Sequence, residues 1–469
     1  MKFDKIVDSM KDDIIKSTQE LVRIRSLESK PEPDAPFGRE IKVCLDKALD
    51  ICSSLGMKTE NFGGYAGHAE FGEGEEAIGI LVHMDVVPEG SGWTHDPYGG
   101  EVVGGRIYGR GTSDDKGPAV AAIYGLKAVM ESGEKFNRKV RIIIGCDEES
   151  GRWACMKHYF QLNEMPVCGF SPDADFPIIN SEKGILIFHL EKEFEKVEEC
   201  SCGALVIKRI QGGNKVNMVP DYCECELEMK RDYVDRIQKT IEYLKQKNNA
   251  NIEAEFKGES CIIKSYGISA HGSTPEKGVN AISQLIQCLC KLPLRVSEQT
   301  AYINFLDEHI GMETDGTSFG VAMSDEVSGK LVFNLGTINA TEEKGSIGIN
   351  VRYPVTKTSS DVYDVIREKI APQDIKLVVG DGKDPLYVPA DNFMVKALQK
   401  VYEDVTGEKA VLISIGGGTY ARAIKNAVAF GPLFPGREET AHQKDEYMEI
   451  EDLVKSTKIY AEAIYELIK

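Results

Sequence analysis

The stretch from Gly79 to Trp93, GILVHMDVVPEGSGW, decides the fold. From Ile78 to Val82 the chain is apolar without alternation, the pattern of a strand buried on both faces in a parallel sheet. The run stops at His83-Met84-Asp85 and gives way to a loop rich in Pro and Gly. An imidazole and a carboxylate, two residues apart, therefore stand at the mouth of a buried strand. In open α/β sheets that is where ligands bind.

Working outward, helical spacing covers Asp4 to Ile24 and Glu40 to Leu55, the second ending at Gly56 as a natural C-cap. Strand patterns follow at Lys58 to Phe62, His68 to Phe71 and Ile78 to His83, then a helix from Pro118 to Ser132, a strand from Val140 to Cys146 and a helix from Trp153 to Leu162. Strands alternating with helices predict an α/β layer with a parallel-rich mixed sheet. The texture changes near Gly184. Alternating strands such as Cys223 to Met229 and Ile347 to Tyr353 are interrupted by three helical patterns, near Val234 to Lys245, Ala281 to Leu292 and Ser360 to Ile370. This is an α+β pattern with antiparallel pairing. From Asp384 the α/β texture returns, with a helix at Phe393 to Val405, strands at Val411 to Ile415 and Ala427 to Phe430, and a last helix from Ile450 to Ile468. One domain inserted into another explains this order: residues 1–184 with 384–469 form the host, and 185–383 the insertion. An insertion of about 200 residues is long enough for two packed α+β lobes.

Composition excludes several classes. The chain has 469 residues, 42% hydrophobic and 28% charged, with a net charge of −19. An acidic protein is a poor partner for nucleic acid or an anionic membrane. No stretch reaches the ~18 uninterrupted apolar residues of a membrane span. Met1 to Ile24 mixes Lys and Asp without an apolar centre, so no export signal is expected and the cytoplasm is the expected compartment. The twelve cysteines are scattered or fall as C-x-C, at Cys200/Cys202, Cys223/Cys225 and Cys288/Cys290. Without C-x-x-C pairs they read as reduced thiols in cores and strands.

The chemistry-bearing residues gather at expected strand ends. His83 and Asp85 follow one strand, Asp147, Glu148 and Glu149 another, and Asp173 lies in SPDADFP after a third. Asp114 and Asp115 lie in GRGTSDDKG before a helix, and His442 lies in GREETAHQKDE. Carboxylates crowded together without a cation repel and take up protons. Two imidazoles with several carboxylates make a donor set suited to Zn or Mn, and one too large for a single catalytic zinc. Two metals sharing a carboxylate would use them all. Each piece alone is unremarkable; a histidine ending a strand is usually core or surface, and SDDKG alone is a turn. GRGTSDDKG also lacks the G-K-[ST] end of a phosphate loop.

As a set, VHMDVVP, YGRGTSDDKGP, CDEESG, SPDADFP, SAHGSTPEKGVNA, GGGTYAR and ETAHQKDE resemble the co-catalytic zinc aminoacylase/carboxypeptidase metallopeptidase family, most nearly its PepV-type dipeptidase branch. They occur in the family's order, from about residue 79 to 446. The resemblance implies a metal-binding catalytic domain with a large inserted lid domain, and two divalent metal ions, Zn by default with Mn or Co able to substitute. By resemblance His83 and Asp173 bind one metal, Glu149 and His442 the other, and Asp114 bridges them. Glu148 is the general base toward a metal-bridging water. Asp85 accepts the free ring N–H of His83 and fixes its tautomer, which accounts for the His-x-Asp spacing at the strand end. The resemblance also implies a cis peptide between Asp114 and Asp115. In the insertion, it makes His271 the oxyanion donor, places Asn217 near the scissile carbonyl, and gives Arg352 the substrate carboxylate. Gly416, Gly417 and Gly418 then admit close approach of a ligand to the backbone. A large insertion in this branch completes the site within one chain, so a monomer acting on small peptides is expected.

The leading expectation is a dinuclear metal-dependent dipeptidase for unblocked dipeptides. An N-acyl amino acid deacylase of the same superfamily would share every metal ligand. A catalytically silent metal-binding protein needs neither Glu148 nor His271, and their presence argues against it.

Overall fold

Ala77–His83 is a strand with every residue buried, and in a computed structural model of the protein it lies inside a nine-stranded sheet. The structure describes residues 1–134, 136–195 and 204–469. These divide into two units, Met1–Ser181 with Leu386–Lys469, and Glu182–Pro385.

In the first unit Ala77–His83 pairs in parallel with Lys139–Gly145 on one side and Cys168–Ser171 on the other. Cys168–Ser171 pairs in parallel with Ala427–Ala429, while Ala66–Phe71 joins Lys139–Gly145 antiparallel and extends to Lys58–Phe62. The sheet is thus mixed, with its parallel strands at the centre. A strand flanked on both edges and covered on both faces can only be apolar, which is why Ile78 to Val82 shows no alternation. Helix Lys116–Met130 packs on Ala77–His83 and Lys139–Gly145, and against helix Ile450–Ile468. Gly125 permits that crossing: a Cβ there would stand 3.1 Å from the Ala461 amide nitrogen and 3.2 Å from Tyr460 Cβ.

The N-terminal helical pattern resolves into two helices, Asp4–Ser9 and Lys11–Val22, broken at Met10. A one-residue break leaves the apolar spacing intact, with Val7, Ile14 and Leu21 still buried, so periodicity alone does not register it.

The second unit is built on an eight-stranded sheet, running Asn251–Lys257, Ser260–Tyr266, Tyr222–Glu228, Val206–Gly212, Val332–Thr341, Lys344–Tyr353, Gly184–Glu193 and Lys376–Lys383, with a short two-stranded ribbon, Ser324–Asp325 and Gly329–Lys330, beside it in the chain. Every neighbouring pair in the eight-stranded sheet is antiparallel. The room for two lobes is therefore taken by a single continuous sheet with a single apolar core. Alternation is plain in Tyr222–Glu228, where Cys223, Cys225 and Leu227 are buried and Tyr222, Glu226 and Glu228 exposed. Four α-helices accompany the sheet among the described residues, not three: Glu298–His309 was not expected. Its start is marked by a capping box in which Ser297 and Thr300 satisfy each other's backbone amides. Thr at the fourth position, in place of Glu or Gln, hides the signal.

The ten described cysteines are free thiols, all buried except the half-buried Cys290, while Cys200 and Cys202 lie outside the described residues. Among the described residues no helix is long and apolar enough to cross a membrane.

Candidate active site

The parallel register decides where the chemistry collects. His83 ends its strand opposite Gly145, so the segment after Gly145 carries Glu148 and Glu149 to the same edge. Asp173 follows Cys168–Ser171, the strand on the other side of Ala77–His83. The loop before helix Lys116–Met130 brings in Asp114. His442 arrives from the segment between Pro432–Leu433 and Tyr447–Glu449, with a left-handed backbone, φ 63°, uncommon for a residue with a Cβ.

These side chains form two donor clusters, His83 with Asp114 and Asp173, and Asp114 with Glu149 and His442, each with its ligand atoms within 4.8 Å of one another. Asp114 belongs to both through different oxygens. Its Oδ1 lies 3.0 Å from His83 Nε2, and its Oδ2 lies 3.0 Å from His442 Nε2. Asp173 Oδ2 stands 3.8 Å from His83 Nε2, and Glu149 Oε2 stands 3.1 Å from His442 Nε2. The Asp114–Asp115 peptide is cis.

The electrostatics are those of a cation site. Burial and the charge of Asp114 push Asp173 up to about 6 and Glu149 up to about 7. Burial and Asp173 raise Glu148 well above the carboxylate range. Burial also raises Asp114, but its hydrogen bonds to His442 and His83 outweigh that and hold it well below its ordinary value. The bonds from Asp114 and Glu149 raise His442 to about 11. With only two imidazoles among these carboxylates, the chain alone cannot ionise them all. Divalent charge would relieve that crowding, and the N/O donor set fits it.

Around the clusters, three features define the supports. First, the Nδ1–H of His83 lies 2.9 Å from the backbone carbonyl of Asp85, with the Asp85 carboxylate farther off at 3.6 Å. The carboxylate was expected in the nearer position. It instead accepts the amides of Glu148 and Glu149 at 3.1 and 3.0 Å, because its strand end faces the segment leaving Lys139–Gly145. Asp85 thus orients His83 through its main chain and the Glu148–Glu149 segment through its side chain. Second, Asp115, fully buried, accepts the backbone N–H of His83 at 3.0 Å. Third, Glu446, also fully buried, binds Arg110 and the loop that carries Asp114. Asp115 was named in the sequence only beside Asp114, in the loop before the helix and in the cis peptide, with no role of its own, and Glu446 was not singled out. Both lie inside quoted motifs, but nothing in a linear pattern shows that a surface-type residue turns inward.

Gly416, Gly417 and Gly418 follow Leu412–Ile415 in the first unit. None needs a left-handed backbone. A Cβ on Gly417 would meet only Ile415 Cδ1 at 3.6 Å, an ordinary contact, and the Gly417 carbonyl accepts from Arg422 Nη2 at 2.9 Å. A cavity of about 170 Å³ borders Asp114 and Asp173 and is lined also by Leu433, Phe434 and Met448.

In the second unit, Met218 and His271 form an antiparallel bridge, and the Gly272 amide donates to the Asn217 carbonyl at 2.7 Å. His271 Nδ1 lies 2.6 Å from the Ser273 hydroxyl. Desolvation and the charge of Arg352 favour its neutral form. Arg352 is buried, and its Nε donates to Asn350 Oδ1 at 3.0 Å. Asn217 and His271 are therefore adjacent, and Arg352 is held by its own strand.

A mixed sheet with parallel central strands and two carboxylate–imidazole clusters at their carboxyl ends make a site fitted to a pair of divalent cations. Residues 79–466 match peptidase family M20/M25/M40. The chain is 43% identical to "Putative dipeptidase YtjP" of Bacillus subtilis over 98% of both chains. It is 36% identical to a "Putative dipeptidase" of Staphylococcus epidermidis over 97% of both. Among solved structures, aminoacylhistidine dipeptidase from Vibrio alginolyticus shares the fold, with a TM-score of 0.59 and 13% identity over 97% of this chain and 96% of that one. The chain belongs to peptidase family M20/M25/M40, and it is a metallopeptidase.

Proposed function

We propose that the protein is a dinuclear metal-dependent dipeptidase that hydrolyses unblocked dipeptides. The observation that carries this reading is the shared position of Asp114, with one oxygen toward His83 and the other toward His442. His83 and Asp173 would hold one divalent ion, Glu149 and His442 the other, and Asp114 both. Zn is the proposed metal, with Mn or Co as substitutes. Such a pair supplies Lewis-acid activation of water and of the scissile carbonyl.

The remaining steps fall to the chain's own residues. Glu148 lies at the same strand end as the ligand Glu149, and its carboxylate takes the proton of the attacking water and returns it to the leaving amine. Burial and its neighbours favour protonation of Glu148, and divalent charge opposes this, as a base that must cycle between forms requires. Asp85 holds the Glu148 and Glu149 amides and the ring of His83 in register. Neutral His271 donates to the developing oxyanion, Asn217 binds beside the scissile carbonyl, and Arg352 pairs with the substrate's C-terminal carboxylate. Gly416, Gly417 and Gly418 leave the backbone open to the ligand. The dipeptidase names of the two relatives, matched across nearly their whole length, support the substrate class. A monomer is the proposed working form. The reduced thiols suit the cytoplasm.

The test compares kcat/KM for unblocked dipeptides and N-acetyl amino acids with matched C-terminal residues. Faster cleavage of the free-amine dipeptides supports the reading; the reverse order makes the protein a deacylase. Arg352→Ala should cut kcat/KM for dipeptides by ~10²-fold, because a buried carboxylate is left unpaired. Amidated dipeptides should be poor substrates of the unaltered enzyme for the same reason.

A further inference from the structure

We propose that Glu446 is the positioning residue that sets Asp114 between the two donor clusters. The proposal rests on the reading of Asp114 as the shared metal ligand. Glu446 and Arg110 are both fully buried, and Glu446 Oε2 accepts from Arg110 Nη1 at 2.6 Å. A buried carboxylate is tolerated only when paired and hydrogen-bonded. Here the second oxygen is spent entirely on the segment leading into Asp114. Glu446 Oε1 accepts from the Gly111 amide at 3.1 Å, the Ser113 amide at 2.9 Å, the Ser113 hydroxyl at 2.9 Å and the Asp114 amide at 3.3 Å. The Glu446 carbonyl takes the Gly109 amide at 2.9 Å as well.

Two features separate this from an ordinary core ion pair. The contacts of Oε1 converge on Gly111, Ser113 and Asp114, the short segment that ends in one ligand, so they fix the direction in which the Asp114 carboxylate leaves the chain. Glu446 also lies four residues after His442, the ligand facing Asp114 Oδ2 at 3.0 Å. One side chain therefore ties the loop of the shared ligand to the loop of its neighbour, across a chain separation of 332 residues. On the opposite side, Asp115 holds the His83 amide. The two oxygens of Asp114 are set between imidazoles whose main chains are themselves tethered.

The experiment titrates the full-length chain, stripped of metal, with Zn(II) against a chromophoric chelator, and records the melting midpoint of the stripped chain. Glu446→Gln keeps the size and one acceptor oxygen but loses the charge opposite Arg110. It should weaken Zn(II) binding by ~10–100-fold, the usual cost of losing a support behind a ligand. Ser113→Ala removes a single contact to Oε1 and should weaken it by about fivefold, one hydrogen bond's worth. A purely structural Glu446 would lower the melting midpoint of the stripped Glu446→Gln chain and leave its Zn(II) constants at the unaltered values; that result overturns the proposal. If Glu446→Gln does not fold, Ser113→Ala decides, and an unchanged constant there overturns it equally. Failure of the unaltered chain to bind Zn(II) would sink the ligand reading itself, and is seen before any variant is made.

Discussion

Glu148 and Glu149 leave the same strand end, yet only Glu149 lies against His442, at 3.1 Å. Their substitutions should therefore diverge. Glu148→Gln should retain the metals, measured by atomic absorption, and lose ~10²–10⁴-fold in kcat, the range for a positioned base. Glu149→Gln should lose metal. If Glu148→Gln loses metal and keeps its turnover per bound pair, the two roles are exchanged. Away from the site, His68 provides a separate pH test. It is buried against Tyr159, with Nδ1 2.8 Å from the Tyr159 hydroxyl. Burial and the charge of Arg141 lower its pKa from 6.5 to about 4. The unfolded chain thus takes up this proton at a higher pH than the folded one. The contribution of neutral His68 is fully present above pH 6.5 and is lost as the pH falls toward 4. Denaturant unfolding of His68→Gln across that window should show a shallower fall in stability than the unaltered chain; equal slopes would exclude His68 as the cause. At this scale the sequence shows which side chains are available, but not which atom each one uses. His-x-Asp suggests a carboxylate on the imidazole, whereas the nearer partner is the Asp85 carbonyl.

At the scale of the element, the boundaries that mattered were legible where one pattern dominated. Ile78 to His83 and Val140 to Cys146 read as strands because burial on both faces removes all alternation, and the structure has strands Ala77–His83 and Lys139–Gly145. Glu298–His309 was not legible, since its charged residues blur the apolar stripe and its capping box uses Thr300. Helix Lys116–Met130 depends on a contact no local pattern shows. Gly125 lies in its middle, where glycine lowers helix propensity by ~1 kcal/mol, and it is there because the helix crosses Ile450–Ile468 closely. Gly125→Leu should therefore destabilise the protein despite its better propensity. Overpacking costs about 1–3 kcal/mol, read as a lower denaturant midpoint with an unchanged slope. A midpoint at or above the original would mean that the two helices are free to part.

For the whole molecule, the sharpest test is removal of metal. Chelation should abolish hydrolysis, and Zn(II) or Mn(II) should restore it. The metal should also raise the melting midpoint, since a ligand bound only by the folded state at a hundredfold over its Kd contributes about 2.7 kcal/mol. Full activity in a rigorously metal-free sample would end the metallopeptidase reading of the site. Mixing His271→Ala with His83→Ala should recover no activity if one chain works alone; recovery on subunit exchange would refute the monomer. By itself the sequence determined the class of each layer, the place of His83 at the end of a buried strand and the inventory of donors, because burial and periodicity are written locally. Only the tertiary structure decided that three parallel strands release His83, Glu148–Glu149 and Asp173 at one edge, that the two oxygens of Asp114 face different imidazoles, and that eight strands of the insertion join in one continuous sheet. It also decided that Glu446 turns inward onto a loop 332 residues away. Long-range register and the pairing of buried charges depend on which distant segments meet, and no local pattern carries that information.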